Sequence, residues 1–361
     1  MKKYFGTFSI KIIASAVLSG LCFLSGCASV PPTHMARITV HVVDESGQPI
    51  ANAPVRTGTV DGYRKGSEWW GYETTYREIT VLTDKNGIAV MTASVEESRI
   101  SYGVRDFPGY YRGGGWYEFK KSATGWRQPW NPKVELVLKK IGVQVPMYAR
   151  AVGGPTGDEK IPATGKPIGF DLMIGDWLPP YGKGATPDFV FELDNKITGT
   201  EVYTHRYANG TSVMITNNLY DNKLTIRFSN EGDGIQFVAK MGGGLRLPKF
   251  APPDGYQPVL NKRAWLEQAT NQLDRQFVKI QSDYNKDADY FFRVRTKKDA
   301  DGNIVSALYG KIYGDFSCDL GHGKIGFTYY LNPEPNSRNM EFNTQSNLFR
   351  NLSLTEKVYL P

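Results

Sequence analysis

The sequence predicts a mainly all-β protein of two β-sandwich-like domains, with one amphipathic helix in the second. Three observations carry this expectation. Short runs alternate apolar and polar residues, as in 38–44, where Ile38, Val40 and Val42 share one face. Turn-forming clusters such as Ser46-Gly47-Gln48-Pro49, Asn86-Gly87 and Asp301-Gly302-Asn303 separate such runs. The 38 glycines, 21 tyrosines and 18 phenylalanines favour a strand-rich, turn-rich build. At 361 residues the chain exceeds one ordinary core, which suggests two domains.

The amino terminus reads as a leader. Lys2, Lys3 and Lys11 supply its charge, residues 12–23 form a nearly uncharged apolar run, and small residues follow, which is the layout of a secretory signal. That run is well short of the roughly 20 residues needed to cross a bilayer. Leu24-Ser25-Gly26-Cys27 completes the pattern, and with it the chain resembles bacterial lipoprotein precursors. The resemblance implies a signal peptide over residues 1–26, a diacylglyceryl group on the Cys27 sulfur, and cleavage that makes Cys27 the first residue. Two or more acyl chains would then anchor it stably to a membrane. Ala28, standing where an aspartate would favour inner-membrane retention in enterobacterial relatives, points to the outer membrane. Residues 27–36, with Pro31-Pro32, read as a tether.

Losing the leader removes three lysines and no acid, so the formal net charge falls from +7 to +4. The remaining charges are scattered, which argues against a nucleic-acid surface. Cys22 leaves with the leader and Cys27 carries lipid, so Cys318 is the sole remaining thiol and no internal disulfide forms. It reads as a small buried residue.

Residues 37–145 form the first expected domain. After the strand at 38–44 and its turn come Ile50 to Val55, the hairpin-like 79–90 around Asp84-Lys85-Asn86-Gly87, and a closing strand at 134–138. Asp44 and Asp84 are placed to cap turns, and Gly47 and Gly87 to take positive φ. Val42-Val43-Asp44, Gly47-Gln48-Pro49-Ile50, Asn52-Ala53-Pro54-Val55 and Thr83 to Gly87 together resemble carboxypeptidase regulatory-like and bacterial Ig-like modules, which are prealbumin-type sandwiches. The likeness covers about a third of the chain and implies a structural or binding role. Insertions at 60–79 and 102–130 depart from it.

A turn-rich connection over 153–165 leads into the second expected domain, residues 146–361, a sandwich or jelly roll. Strand-like stretches occupy 170–174, 189–193, 202–207, 224–228, 235–239, 290–295, 304–313 and 325–331. Trp265, Ala269, Leu273 and Phe277 recur every four residues behind an N-cap candidate at Asn261, which predicts a helix over about 262–280 packed on a sheet.

The chemistry-bearing candidates lie in the insertions of the first domain. Trp69, Trp70, Tyr111, Trp116, Trp126 and Trp130 can stack on the C–H face of a sugar while neighbouring polar groups bond its hydroxyls. Packing is the commoner fate of such rings, and exposure decides between the two. Asp299-Ala300-Asp301-Gly302-Asn303 begins like a calcium loop, but Ile304 and Gly310 stand where glycine and glutamate are needed. The four histidines and Cys318 form no metal set, Gly242-Gly243-Gly244 reads as a flexible loop, and there is no hydrolase elbow or nucleotide-binding loop. Asp171, Asp176, Asp188 and Glu192 could converge as glycosidase carboxylates. The expectation is therefore a cofactor-free, metal-free, non-catalytic lipoprotein of the bacterial envelope with a structural or adhesive role. A glycan or another envelope protein is its expected partner; a glycoside hydrolase is the remaining alternative.

Overall fold

The computed structural model describes residues 34–65, 72–120, 126–154, 157–206, 210–268, 270–271, 276–277 and 280–361. Cys27 and the leader therefore lie outside the described residues. The chain divides into two compact units, Met1–Lys140 and Ile141–Pro361. Every regular element among the described residues of both is a strand.

The first unit holds β1 (His34–Asp44), β2 (Pro54–Lys65), β3 (Tyr72–Leu82), β4 (Ile88–Val95), β5 (Arg99–Val104), β6 (Gly113–Glu118) and β7 (Lys133–Leu138). They form two sheets, β4-β1-β7 and β3-β2-β5-β6. Ile38, Val40 and Val42 of β1 are fully buried with Val55 of β2, Met91 of β4 and Ile100 of β5, so the alternation predicted for β1 closes a sandwich. The turn chemistry is as expected. Asp44 Oδ1 accepts the Ser46 and Gln48 amides at 2.9 and 3.0 Å, and Asp84 Oδ1 accepts the Asn86 and Ile88 amides at 2.9 Å each. Gly87 has φ +73°, and a Cβ there would meet the Val42 carbonyl oxygen at 2.4 Å, so no other residue fits.

Among the described residues the second unit holds sixteen strands in chain order. These are β8 (Val145–Val152), β9 (Glu159–Lys160), β10 (Pro167–Asp171), β11 (Asp176–Trp177), β12 (Phe189–Asp194), β13 (Ile197–Arg206), β14 (Ser212–Phe228) and β15 (Gly234–Ala239). Then come β16 (Val259–Leu266), β17 (Thr270–Asn271), β18 (Gln276–Phe277), β19 (Gln281–Ser282), β20 (Ala288–Lys298), β21 (Ile304–Asp319), β22 (Lys324–Asn332) and β23 (Phe342–Asn347). One large sheet runs β11-β10-β12-β14-β16-β19, with β13 on β14; the other large sheet runs β15-β20-β21-β22-β8-β23, with β9 on β22; β17 and β18 pair separately. Phe170, Phe189 and Phe191 of the first sheet meet Phe292, Phe316 and Phe327 of the second in the core between them. The second sheet is also covered on its outer face, where Phe291, Tyr313, Tyr330 and Phe342 pack with Leu247, Ala251 and Met340. Cover on both faces leaves most consecutive residues of β20 and β22 buried, including the polar Asp289 and Arg293.

The helix predicted over 262–280 does not form in the described residues. Its beginning is β16, paired antiparallel with β14 from Arg227↔Val259 to Tyr220↔Leu266. Thr270–Asn271 and Gln276–Phe277 pair as a small hairpin, while Ala269 and Leu273 lie outside the described residues. A four-residue recurrence is also a multiple of two, so the same apolar pattern suits one face of a strand.

Polar groups join the two sheets of this unit. Lys262 on β16 donates to Asp315 on β21 at 2.7 Å, with both residues buried. Asp315 also accepts the Tyr290 hydroxyl and the Asn285 amide at 2.7 Å each. Arg295 on β20 donates to both oxygens of Asp188 at 2.8 Å and to Asp171 on β10 at 3.0 Å. Its backbone sits at φ +55°, a left-handed conformation uncommon for a non-glycine residue. Asp233 holds it there by accepting the Arg295 and Thr296 amides at 3.1 and 2.9 Å, beside a register shift in the β20–β21 ladder. A bulge of this kind re-aims a side chain, here into the space between the sheets.

Removing one partner of a buried pair leaves an uncompensated charge, which costs about 3–5 kcal/mol. Lys262→Met is therefore expected to destabilise the second unit by about that amount in urea denaturation. A loss below about 1 kcal/mol, the range of exposed pairs, contradicts the cross-sheet role.

Candidate functional site

The outer face of the β3-β2-β5-β6 sheet carries an open trough. Along β2, Val55, Thr57 and Thr59 point inward, which turns Arg56, Gly58 and Val60 outward. The pairing Arg56↔Gly103 sets Gly58 beside Ser101 on β5, Ser101 pairs with Trp116 on β6, and Val60 pairs with Tyr76 on β3. Small residues thus form a floor across the central strands, with a large ring at each edge. Trp116 and Tyr76 are 60% and 63% exposed. A Cβ built on Gly58 meets nothing within 4 Å, so the space above the floor is open. The resulting trough has a volume of about 420 Å³, and Glu96, Glu97 and Arg99 contribute to its lining.

These polar groups are positioned. Glu96 Oε1 accepts the Thr74 hydroxyl at 2.5 Å and Oε2 accepts the Tyr76 hydroxyl at 3.0 Å. Burial and the Glu96 carboxylate push the Tyr76 phenol above its ordinary range, which keeps its proton on the hydroxyl. Arg127, itself buried, donates to the Glu96 carbonyl at 2.7 Å and fixes this turn, and Arg99 reaches Glu97 at 2.9 Å. On the far edge, the glycines before Trp116 are held in β6: a Cβ on Gly113 would lie 2.6 Å from Leu138, and one on Gly115 2.9 Å from the Tyr102 hydroxyl. Two rings flanking a flat floor, with carboxylates and a guanidinium at the rim, can stack on sugar C–H faces and bond hydroxyls.

The aromatic candidates read from the sequence separate into groups. Trp116 meets Tyr76 across the trough. Trp126 and Trp130 form a second exposed pair, edge to face at 4.4 Å and 84°, with the Arg37 guanidinium 5.7 Å from the Trp130 ring. Tyr111 is buried and is corrected to a packing residue, because its ring cannot reach a ligand. Trp69 and Trp70 lie outside the described residues. Tyr76, Gly58, Ser101 and Glu96 escaped the sequence reading; the alternation through Thr74, Tyr76 and Glu78 was the available signal.

The acidic candidates are committed to the fold. Asp171 and Asp188 do converge, on Arg295. Asp171 also accepts the amides of Met173, Ile174, Ala185 and Thr186 at 2.9 to 3.1 Å. Burial opposes ionisation of Asp171, but those amides outweigh it and hold the carboxyl low. Asp188 is almost fully buried and accepts the Leu172 amide as well as Arg295. Asp176 accepts the Trp177 and Lys183 amides, and Glu192 pairs with Arg227. Among the described residues, no three His, Cys, Asp or Glu side chains are grouped to hold a metal. Asp299 closes a tight turn by accepting the Asp301 and Asn303 amides at 3.0 and 2.8 Å. No helix among the described residues is long and apolar enough to cross a membrane.

No family model matches the chain, and no curated protein matches it. Among solved structures it is similar to the major pilin subunit BcpA of Bacillus cereus, at 10% identity and a TM-score of 0.22, over 83% of this chain and 96% of that one. The full-length major pilin SpaD of Corynebacterium diphtheriae aligns at 11% identity and a TM-score of 0.21, over 86% of this chain and 92% of that one. The shaft pilin spaA of Lactobacillus rhamnosus GG aligns at 10% identity and a TM-score of 0.17, over 56% of this chain and 90% of that one. Similarity at this level carries no argument about what this chain does.

Cys318 packs against the core of the second unit, and burial pushes its thiol up to about 12. A thiol rather than a thiolate is present at neutral pH, so the native protein is expected to resist a thiol-specific disulfide reagent at pH 8 and to react fully in denaturant. Equal rates in the two conditions contradict the assignment.

Proposed function

We propose that this chain is a non-catalytic, lipid-anchored protein of the bacterial envelope whose adhesive role is exercised by carbohydrate binding in the trough between Trp116 and Tyr76. The observation that carries the reading is the exposure of these two rings on opposite edges of a floor made by Gly58 and Ser101. A ring serving only the core would be covered, as Tyr111 is. The leader ending in Leu24-Ser25-Gly26-Cys27 supports the anchor, and Ala28 supports outer-membrane delivery. The engagement of Asp171, Asp176, Asp188 and Glu192 in backbone or ion-pair contacts supports binding without hydrolysis. A purely structural role is the second reading, favoured by the Trp126–Trp130 pair, whose rings pack on each other.

Two variants test the trough. Trp116→Ala removes a stacking face, and Gly58→Leu places a side chain in open space. Each is expected to lower retention on a glycan array at least about tenfold, equivalent to about 1.4 kcal/mol, with the melting temperature unchanged. Retention equal to wild type in both variants contradicts trough binding, and absence of retention by the wild type favours the structural reading.

The anchor has its own test. Wild type is expected in the membrane fraction and Cys27→Ala in the soluble fraction, since the variant lacks the acylated sulfur. Identical partitioning of the two rules out the lipid.

A further inference from the structure

The second unit bears a groove whose charges are unequally satisfied. Two cavities of about 530 and 410 Å³ border each other at Phe349, Arg350 and Leu352, and together they make up this groove. Arg150 and Glu356 line it but are spent on each other. Arg150 Nε and Nη2 donate to Glu356 Oε1 at 2.9 and 2.5 Å, and Nη1 donates to the Gly175 carbonyl. The other Glu356 oxygen accepts the Ser353 amide at 3.0 Å and the Ser353 hydroxyl at 2.7 Å. Burial opposes ionisation of Glu356, yet Ser353 and Arg150 outweigh it and hold the carboxyl low, so this acid stays bound to its partners.

What remains is cationic. Lys183, Arg350 and Lys357 line the depression, are exposed, and make no side-chain ion pair or hydrogen bond among the described residues. Against them stands one further carboxylate, Asp176, whose two oxygens accept the amides of Trp177 and Lys183 at 2.8 and 2.9 Å. The long floor has an apolar component in Phe349, fixed edge to face on Tyr148 at 5.2 Å, and an exposed ring in Tyr359. A cleft whose unpaired charges share one sign concentrates counter-ions of the other, so these three cations favour an anionic ligand.

We propose that this groove binds an extended acidic polysaccharide, its carboxylate or phosphate groups meeting Lys183, Arg350 and Lys357 while a sugar face lies on Phe349 and Tyr359. Arginine supplies a planar fork for either anion, and the lysines supply point charges on flexible stems. The site is independent of the trough in the first unit and stands or falls separately.

The test is binding of the mature full chain at low ionic strength to fluorescent oligogalacturonate, which carries carboxylates, and to fluorescent phosphorylated dextran, which carries phosphates. Neutral dextran and a single-stranded oligonucleotide serve as comparators. At least one acidic glycan is expected to bind, dextran not to bind, and raising the salt from 0.02 to 0.3 M to weaken binding as charges are screened, these concentrations spanning roughly the range over which the Debye length falls below 10 Å. Lys183→Gln/Arg350→Gln/Lys357→Gln is expected to lose about tenfold or more in affinity. A charge-matched control, Lys85→Gln/Lys166→Gln/Lys286→Gln, is expected to lose less than twofold. The preferred glycan identifies the anion. Absence of binding to both acidic glycans, equal loss in the two triple variants, or tighter binding of the oligonucleotide overturns the proposal.

Discussion

The second unit depends on ion pairs buried between its two sheets. Arg295 is the clearest case: one guanidinium from β20 is shared by Asp171 and Asp188, and its own amide is held by Asp233. Asp171 and Asp188 are buried and Arg295 is only partly exposed, so these groups rely largely on one another for solvation and their positions are mutually set. The left-handed backbone at Arg295 is the local cost of aiming it between the sheets, and the two amides held by Asp233 offset that cost. Lys262 and Asp315 repeat the arrangement at another place between the same sheets, with Tyr290 completing the carboxylate's shell. An apolar core specifies that the sheets pack, whereas paired charges specify which strand faces which.

This constraint bears on function because it consumes the chemistry. The acids that the sequence offers as a catalytic pair are instead acceptors for backbone amides and arginine. Cys318 is half-buried against the core, with its thiol raised. The proposed recognition therefore falls to surface features. The first unit presents two exposed rings across Gly58 and Ser101 with Glu96, Glu97 and Arg99 at the rim, and the second presents cations around Phe349. These differ in ligand chemistry and in their response to salt.

Much of the architecture was legible in the residues. Asp44 and Asp84 announced their turns because an aspartate two residues before an amide can close a loop by itself, and Gly87 announced its positive φ. Strands were legible wherever one face met a core. The segment after Asn261 misled because an interval of four fits both a helix turn and two strand steps, and only the pairing partner in β14 decides. The trough was half legible: Trp116 stood out in an aromatic insertion, but Tyr76 becomes its counterpart only through the order β3-β2-β5-β6, which brings residues 40 positions apart to one face. The salt bridge from Arg295 to Asp171 spans 124 residues and leaves no local trace at all.

The central claim is that a sugar chain lies across Gly58 and Ser101 between two rings. Nuclear magnetic resonance of the mature chain, titrated with an oligosaccharide it retains, tests this most directly. The account predicts the largest shifts at the Trp116 indole N–H and at the Gly58 and Ser101 amides. Shifts confined to other surfaces, with these three signals unmoved at saturation, contradict it.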